Sequence, residues 1–376
     1  MALLDRLDSE APKRILSLDG GGIRGILTLG FLERVEQILK ERADRNDFVL
    51  ADYFDLIGGT STGSILAAGL STGMHVKDLI ALYEDLGSKV FRGSALRGGL
   101  LFEKFPSGPL RRELTRQFGT MQLSDPEIRT GLLVMTKRLD SGSAWPIHNH
   151  PRGRFYSGAP VAGTVPFPNK DFSLAQVVRA STAAPSFFEP EDIIVGDHQG
   201  RAFSGSFVDG GVSPHNNPAL QLLMLATMSG HGFGWTMGPE DLFMLSLGTG
   251  SKVPGASAKG VSASVAIKAL KSLMDDCAEL VETIMQWVSE SPTARPIDLA
   301  VGDLAGELLG GRELLTYVRY NVFFDVEWMQ TQLGVMNVTA TQLSELSKMD
   351  EPDHVHQLLH LGRIAAHKLV DPAHLP

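Results

Sequence analysis

The feature that most constrains the fold of this chain is a glycine-rich loop that repeatedly follows an apolar, strand-like run. The three loops are 19-DGGGIRG-25, 59-GTSTG-63 and 209-DGGV-212, and a helical pattern directly follows the first two. Such alternation of strands and helices predicts an α/β fold with a mostly parallel sheet. Because ligands bind at the carboxyl ends of the strands in such sheets, we expect the three loops to lie together at one edge.

Hydrophobic periodicity predicts most of the other elements. Helices are predicted over Ile26–Ala43, from about Thr62, and over Val76–Val90, Ser173–Ala184, Pro218–Met228, Val265–Val288 and His354–Val370; strands are predicted over Ile15–Asp19, Phe54–Thr60, Gly131–Lys137, Leu242–Leu247 and Leu315–Phe324. Ser173 and Gln176 fit a capping box at a helix start. The glycine-rich stretch 91–108 predicts a mobile loop, and 251–262 predicts a linker.

The composition is typical of a soluble globular protein, with 376 residues of which 43% are hydrophobic and 20% charged. The net charge of −9 and the lack of a long Lys/Arg run argue against a nucleic-acid polymer as partner. The one cysteine, Cys277, rules out an intrachain disulfide and fits a reducing compartment. The N-terminal stretch MALLDRLDSEAPKR resembles neither a signal peptide nor a membrane span, so we expect a cytoplasmic protein.

The loop 59-GTSTG-63 fits the nucleophile-elbow pattern G-x-S-x-G in the context that this pattern requires, after a strand and before a helix. The serine of an elbow has a strained backbone, and side chains larger than glycine on either side would clash. The following helix directs its positive N-terminal end at the hydroxyl. Ser61 is therefore the candidate nucleophile; an ordinary glycine-rich turn and a phosphate cradle are the alternatives.

The loop 19-DGGGIRG-25 is compatible with two functions. Gly20, Gly22 and Gly25 match the dinucleotide-binding pattern G-x-G-x-x-G, but the acidic residue expected at the end of a second strand is missing. Backbone N–H groups at a helix start stabilise any anion, so the same loop opposite a serine nucleophile would form an oxyanion hole. Arg24 either adds charge there as a substrate or anion contact, or forms a surface ion pair.

A serine nucleophile needs a base, and the sequence offers several. Asp209 and Asp19 are carboxylates on glycine-rich turns. A Ser-His-Asp triad would draw instead on a histidine, with His148, His150, His215 and His231 as candidates. The residues alone do not choose between a carboxylate base and a triad, and without further evidence a triad is the default expectation.

The ordered combination of D-G-G-G-I-R-G, G-T-S-T-G and D-G-G-V followed by Asn216-Asn217-Pro218 resembles the patatin-like phospholipase family over about residues 13–250. The segment 179-RASTAAPSFFEP-190 is similar to the family's small-residue helix and Pro turn near the site. The resemblance implies a three-layer catalytic core over 13–250. Residues 251–376 would form a mainly helical region packed on that core, within one structural domain overall.

The same resemblance implies roles for particular residues. Ser61 matches the family's nucleophile and Asp209 its base, which makes a Ser–Asp dyad instead of a triad. Gly20, Gly21 and Gly22 match the oxyanion loop. The implied reaction is hydrolysis of the acyl esters of phospholipids or other lipids through an acyl-enzyme, without a metal or other cofactor. No EF-hand loop and no His/Cys ligand spacing in the sequence contradicts this.

In length and in the segment 287-WVSESPTAR-295 the chain resembles bacterial patatin-like proteins, some of which are effectors switched on by cyclic nucleotides in antiphage signalling. This suggests a cyclic-nucleotide activator, homo-oligomerisation and action at the inner membrane surface. Because the chain is acidic, peripheral membrane contact would depend on apolar side chains. Two other functions stay open: a dinucleotide-binding oxidoreductase that uses 20-GGGIRG-25, and a catalytically silent binding protein of the same fold.

Overall fold

The computed structural model describes residues 3–90, 105–161, 164–185, 187–251 and 262–376, without the side chains of 88 and 262–271. Most of the predicted loop 91–108 and of the predicted linker 251–262 lies outside the described residues.

The predicted helices and strands occur in the predicted order, and the structure adds elements that were not predicted, among them the strands between residues 143 and 209. The helices are α1 Leu3–Leu7, α2 Gly25–Ala43, α3 Thr62–Ser71, α4 Val76–Val90, α5 Ser107–Phe118, α6 Leu174–Ser181, α7 Ala219–Thr227, α8 Ser262–Trp287, α9 Val326–Leu333, α10 Ala340–Leu346 and α11 Val355–Leu369. The strands are β1 Lys13–Leu18, β2 Leu56–Thr60, β3 Gly131–Arg138, β4 Ser143–His148, β5 Thr164–Pro166, β6 Glu191–His198, β7 Arg201–Asp209, β8 Leu242–Leu247 and β9 Thr316–Tyr320.

All the described strands belong to one sheet with the order β5-β6-β7-β3-β2-β1-β8-β9, and β4 also pairs with β3. The run β3-β2-β1-β8-β9 is parallel throughout. Strands β4 to β7 extend it with antiparallel pairs. The predicted α/β fold with a mostly parallel central sheet is confirmed.

Helices cover both faces of this sheet, and each face has its own apolar core. Side chains alternate between the faces along a strand, so on β1 Leu16 contributes to one core and Ile15 to the other. The first core packs α2, α3, α4, α6 and α11 on the sheet. The second packs α1, α7 and α8 on the opposite face. The architecture is therefore three-layered.

The C-terminal part of the chain is built into the same sheet. Strand β9 pairs in parallel with β8. Helix α11 lies against α2 so closely that a Cβ on Gly362 would come within 2.3 Å of the Leu27 carbonyl oxygen. The division into a core over 13–250 and a second region over 251–376 remains a prediction.

Three local predictions differ from the structure. Ser173 does precede α6, but its side chain makes no cap hydrogen bond, and Gln176 donates to the Asp192 carbonyl instead, at 3.4 Å. The predicted capping box is therefore wrong. Helix α5 begins at Ser107, inside the stretch predicted as a loop. Strand β9 ends at Tyr320, earlier than predicted, because the next side chain, Asn321, turns back to accept from the Gly250 N–H at 2.9 Å.

Candidate active site

Two strands that end at the same point of β3 bring the predicted dyad together. Strand β2 runs parallel along β3 as far as Thr60, which faces Met135. Strand β7 runs antiparallel and ends at Asp209, which faces the next residue, Thr136. Strand β4 pairs along the other edge of β3. Strands β2 and β7 therefore pair with successive parts of the same edge of β3. Ser61 follows β2 directly, so it meets Asp209 although 148 positions separate them in the chain.

The turn at Ser61 has the strained geometry of a nucleophile elbow. Ser61 has φ 54° and ψ −127°, a conformation that non-glycine residues rarely adopt. A Cβ on Gly59 would lie 2.1 Å from the carbonyl oxygen of Gly63, and a Cβ on Gly63 would lie 2.3 Å from that of Leu18. Both flanking positions of G-x-S-x-G therefore need glycine because backbone fills the space where a side chain would be.

The Ser61 hydroxyl donates directly to the Asp209 carboxylate, with an Oγ–Oδ2 distance of 2.5 Å. Both residues are almost buried, at 8% and 5% exposed. The other carboxylate oxygen of Asp209 accepts from the Gly211 N–H at 2.7 Å, which fixes the orientation of the carboxylate. No histidine lies between the two groups, and the pair can transfer a proton without an intermediary.

Burial raises the pKa of Asp209 from its ordinary value of 3.8 to about 6. The hydrogen bonds from Ser61 and Gly211 and the charge of Arg179 act in the opposite direction and limit this rise. A carboxylate with a pKa close to the working pH accepts a proton more readily than an ordinary aspartate. The raised pKa of Asp209 is compatible with the predicted role as a base, and that role stays a prediction.

The other candidate bases have different environments. Asp19 forms a buried ion pair with Arg319, at 2.7 Å. His148 and His150 contact the ring of Phe233, and His231 contacts the ring of His148, so these three histidines contact one another or Phe233 and not Ser61. Neither arrangement provides a base for the serine.

His215 is close to the elbow, but through its backbone: its carbonyl accepts from the Thr60 hydroxyl at 2.6 Å. Burial lowers the pKa of its imidazole. A Ser-His-Asp triad is therefore not formed, and this alternative is wrong.

The glycine loop before α2 lies next to the elbow, since a Cβ on Gly20 would come within 3.2 Å of the Ser61 Cβ. The Gly20 N–H, however, already donates to the Asn216 carbonyl at 3.0 Å. No hydrogen bond between described residues uses the N–H groups of Gly21 or Gly22. Of the three predicted oxyanion donors, these two have an N–H available to a substrate.

Thr62 is a further candidate donor that was not singled out from the sequence. It begins α3, and the first N–H groups of a helix have no partner within the helix. The residue after the serine supplies an oxyanion donor in nucleophile elbows generally. The signal was present in the pattern 59-GTSTG-63 itself.

Arg24, the predicted substrate or anion contact, is buried at 7% exposed, so the alternative of a surface ion pair is wrong. Its guanidinium lies 6.0 Å from the centroid of the Phe324 ring. Burial lowers the pKa of Arg24, whereas the charges of Asp275 and Asp19 raise it. These surroundings fit a role for Arg24 as a buried positive charge near Asp275 and Asp19. Contact between Arg24 and a substrate stays a prediction.

Three residues hold the site in place. Ser181 and Thr249 were not singled out from the sequence, and Asn216 was named only within the Asn216-Asn217-Pro218 run of the family resemblance. The Ser181 hydroxyl accepts from the Ser61 N–H at 2.9 Å. Thr249 and Asn216 both donate to the Gly20 carbonyl, at 3.0 and 3.4 Å. Ser181 falls within 179-RASTAAPSFFEP-190, where only the family resemblance drew attention to the segment.

The dinucleotide alternative does not fit the strand that follows the loop. Its fingerprint needs an acidic residue at the end of the second strand, and β2 ends at Thr60, followed by Ser61.

No cluster of side chains suited to a metal ion occurs among the described residues. In the same part of the chain, no helix combines the length and hydropathy that a bilayer span requires.

The fold and the site together define an α/β protein with a buried serine–aspartate pair on a strand–helix corner. The family model described as patatin-like phospholipase matches residues 16–223, more than half of the chain. The chain belongs to the patatin-like phospholipase family.

Among curated relatives, Patatin-T5 from Solanum tuberosum is 28% identical over 249 residues, which are 63% of this chain and 60% of that protein. A cGAMP-activated phospholipase from Escherichia coli strain TW11681 is 30% identical over 246 residues, which are 63% of this chain and 62% of that protein. The chain thus spans about 60% of the length of the curated relatives that it matches. The solved structure of VipD from Legionella pneumophila has a TM-score of 0.39 and 14% identity, and covers 94% of this chain and 67% of that one. A likeness this weak carries no argument.

Proposed function

We propose that this chain is a serine lipid acyl hydrolase of phospholipase A type. The observation that carries the proposal is the direct contact between the Ser61 hydroxyl and the Asp209 carboxylate, at 2.5 Å, in a member of a phospholipase family. The strained elbow supports a nucleophilic role for Ser61. The pKa of Asp209, raised to about 6 by burial, supports its role as the base.

In the acylation half of the reaction, the Asp209 carboxylate accepts the hydroxyl proton while the Ser61 Oγ attacks the ester carbonyl carbon. The tetrahedral intermediate collapses, the alcohol part of the lipid leaves with the proton from Asp209, and the acyl group stays on Ser61. In the second half, Asp209 takes a proton from the water that attacks the acyl-enzyme. It returns this proton to the Ser61 Oγ as the fatty acid is released, which restores both groups. Each step uses only groups of this chain, the lipid and water.

The negative charge that develops on the carbonyl oxygen needs donors beside Ser61. The free N–H groups of Gly21 and Gly22 support their assignment to this role, with Thr62 as a third donor. Gly20 belongs to the loop but uses its own N–H to hold it in place. Removal of an oxyanion donor typically lowers kcat about 10²- to 10³-fold, so this arrangement accounts for a large share of the expected rate.

Regulation and location are part of the proposal. The relative that is 30% identical is a cGAMP-activated phospholipase, which supports a cyclic nucleotide as activator and a role in antiviral defence here. We place the chain in the cytoplasm, in peripheral contact with the inner membrane surface, with oligomerisation linked to activation.

The test is fatty-acid release from phosphatidylethanolamine–phosphatidylglycerol vesicles, followed by mass spectrometry with and without cyclic GMP–AMP. We expect wild type to release fatty acid and lysophospholipid, and Ser61→Ala and Asp209→Ala to release neither. Matched controls are Ser141→Ala and Asp44→Asn, at exposed positions outside the site, which should keep wild-type activity. Release that survives Ser61→Ala would refute the proposal.

A fluorophosphonate probe separates the remaining alternatives. It should label Ser61 in wild type, as mapped by peptide mass spectrometry, and label neither the Ser61→Ala variant nor other serines. Saturable binding of NAD would support the oxidoreductase instead. An unlabelled Ser61 together with no release, even with nucleotide present, would identify a silent binding protein.

A further inference from the structure

A cavity of about 620 Å³ lies between the end of α8, β9, α9 and α11, away from the serine. Its volume is within the range of small-molecule sites. The proposed catalytic groups do not line it, so lipid hydrolysis gives it no role.

The walls of this cavity combine flat aromatic rings with a guanidinium. Phe323 and Trp328 meet edge to face, with centroids 5.5 Å apart. The guanidinium of Arg295 lies 5.1 Å from the Phe323 ring centroid, and its side chain is 26% exposed. Aromatic rings stack on nucleobases, and an arginine fork binds phosphate. The side chain of Gln332 adds amide hydrogen bonding at the rim.

A chain of ion pairs leads from this cavity to the glycine loop. Arg295 pairs with Glu282 at 2.7 Å, and Glu282 also pairs with Arg319 at 3.3 Å. Arg319 in turn pairs with Asp19 at 2.7 Å. Asp19 directly precedes Gly20, so these ion pairs form a continuous connection between Arg295 and the loop beside Ser61.

A second connection runs through the backbone after β8. Asn321 lines the cavity, and its Oδ1 accepts from the Gly250 N–H at 2.9 Å. The neighbouring Thr249 hydroxyl donates to the Gly20 carbonyl at 3.0 Å. The first connection therefore ends at Asp19 and the second at Gly20, which are neighbouring residues of the loop 19-DGGGIRG-25.

We propose that this cavity, lined by Arg295, Phe323 and Trp328, binds an anionic nucleotide and regulates the glycine loop through Arg319 and Asp19. The inference rests on the proposed function, because it gives the proposed activator a site. A base stacks on Trp328, with Phe323 at its edge, and a phosphate binds Arg295 in place of Glu282. Glu282 then pairs with Arg319 alone, and this weakens the ion pair between Arg319 and Asp19. Activation follows to the extent that the nucleotide binds the released arrangement more tightly.

Nucleotide binding is measured by calorimetry on the Ser61→Ala chain, where hydrolysis cannot interfere. The probes are cyclic GMP–AMP and cyclic di-AMP, with inorganic phosphate as a third arm. We expect at least one dinucleotide to bind saturably and phosphate to bind far more weakly. No binding of either dinucleotide, or equal binding of phosphate alone, would overturn the proposal. Because this readout needs no active serine, it can fail while the proposed hydrolysis stands, and the reverse.

Substitutions locate the site. Trp328→Ala and Arg295→Gln should each weaken dinucleotide binding about tenfold or more, from the usual strength of base stacking and charged hydrogen bonds. Trp328→Phe keeps a stacking ring and should keep most of the affinity, which controls for loss of folding. Trp287→Ala and Arg312→Gln, at exposed positions outside the cavity, are the matched controls and should bind as wild type does. Binding that survives both cavity substitutions would place the site elsewhere.

The coupling is tested with Asp19→Asn in the chain that retains Ser61. This variant substitutes no residue that lines the cavity and removes the negative charge that pairs with Arg319. It should bind the dinucleotide within about threefold of wild type while the ratio of stimulated to basal labelling of Ser61 by fluorophosphonate falls to about one. A stimulation ratio that stays at the wild-type value would rule out the ion-pair route.

Discussion

The backbone N–H of Ser61 donates to the hydroxyl of Ser181 at 2.9 Å, and that hydroxyl donates to the Met135 carbonyl at 2.6 Å. One side chain of α6 thus ties the elbow to β3, the strand along whose edge Asp209 also ends. The strained backbone of Ser61 persists only where the surroundings hold it, and Ser181 is one of those restraints.

Ser181→Ala should therefore reduce turnover without touching the substrate. The Ser61 N–H loses its buried acceptor, which costs about 1–3 kcal/mol of unfolding free energy. Displacement of the nucleophile should lower kcat about tenfold to a hundredfold, with KM nearly unchanged. Steady-state kinetics on a soluble ester and the rate of fluorophosphonate labelling measure both effects.

Two further variants distinguish an effect on the position of Ser61 from a general loss of stability. Ser181→Thr keeps the hydroxyl and should restore much of the labelling rate. Ser71→Ala is the matched control, because Ser71 is a fully buried serine whose hydroxyl has no partner among the described residues. If Ser181→Ala lost stability but labelled at the wild-type rate, its role would be structural alone.

The parts of this site that local sequence encodes were predictable. The elbow was readable because 59-GTSTG-63 follows an apolar strand and precedes a small-residue helix. Gly59 is required by a contact within the loop, with Gly63, whereas Gly63 is required by the distant backbone of Leu18. The meeting of Ser61 with Asp209 was not readable from spacing, since it depends on an antiparallel strand, β7, that completes the edge of β3 where β2 ends. Only the family resemblance chose Asp209 over Asp19.

Long-range partners account for what the sequence did not show. The Gly20 N–H was expected to face a substrate, but the carbonyl of Asn216 accepts from it. Asp19 was a candidate base, and it instead pairs with Arg319, 300 positions away. Neither partner leaves a local pattern, because each contact is set by how β8, β9 and the loop after β7 pack.

The pKa of Asp209, raised to about 6 by burial, predicts the pH dependence of the reaction. Asp209 accepts the serine proton only when ionised, so kcat/KM should rise with pH up to about 6 and then level off. At pH 5 it should be about tenfold below the plateau. The pH profile of fluorophosphonate labelling should show the same limb. A rise in rate centred near pH 4 would contradict the effect of burial. The variant His215→Asn tests whether the imidazole of His215 contributes to this pH dependence.

Ionisation of the Asp209 carboxylate should lower the free energy of unfolding at neutral pH. The folded chain binds this proton more tightly than the unfolded chain, because its pKa is about 6 when folded and 3.8 is the ordinary value. The contribution of Asp209 to the free energy of unfolding is therefore most favourable below pH 3.8 and is lost as pH rises to about 6, a difference of about 3 kcal/mol. Asp209→Asn should raise the melting temperature at pH 8, and its advantage should shrink as pH falls towards 4. A melting temperature for Asp209→Asn below wild type at pH 8 would contradict this account.

Helix α8 offers the apolar surface that the proposed membrane contact needs. Leu273, Leu280 and Trp287 recur every seven residues on one face and are 57%, 58% and 40% exposed. Met274 on the same helix packs against Gly211, beside Asp209, so a membrane that covers this face lies close to the site.

The double substitution Leu273→Ser/Leu280→Ser should lower partitioning onto phosphatidylcholine vesicles about tenfold, because apolar area is lost. Vesicle flotation measures this, and the exposed Leu299→Ser is the matched control. Since apolar contact carries the binding, salt should change it little; binding that needs anionic lipid and disappears in salt would contradict the prediction.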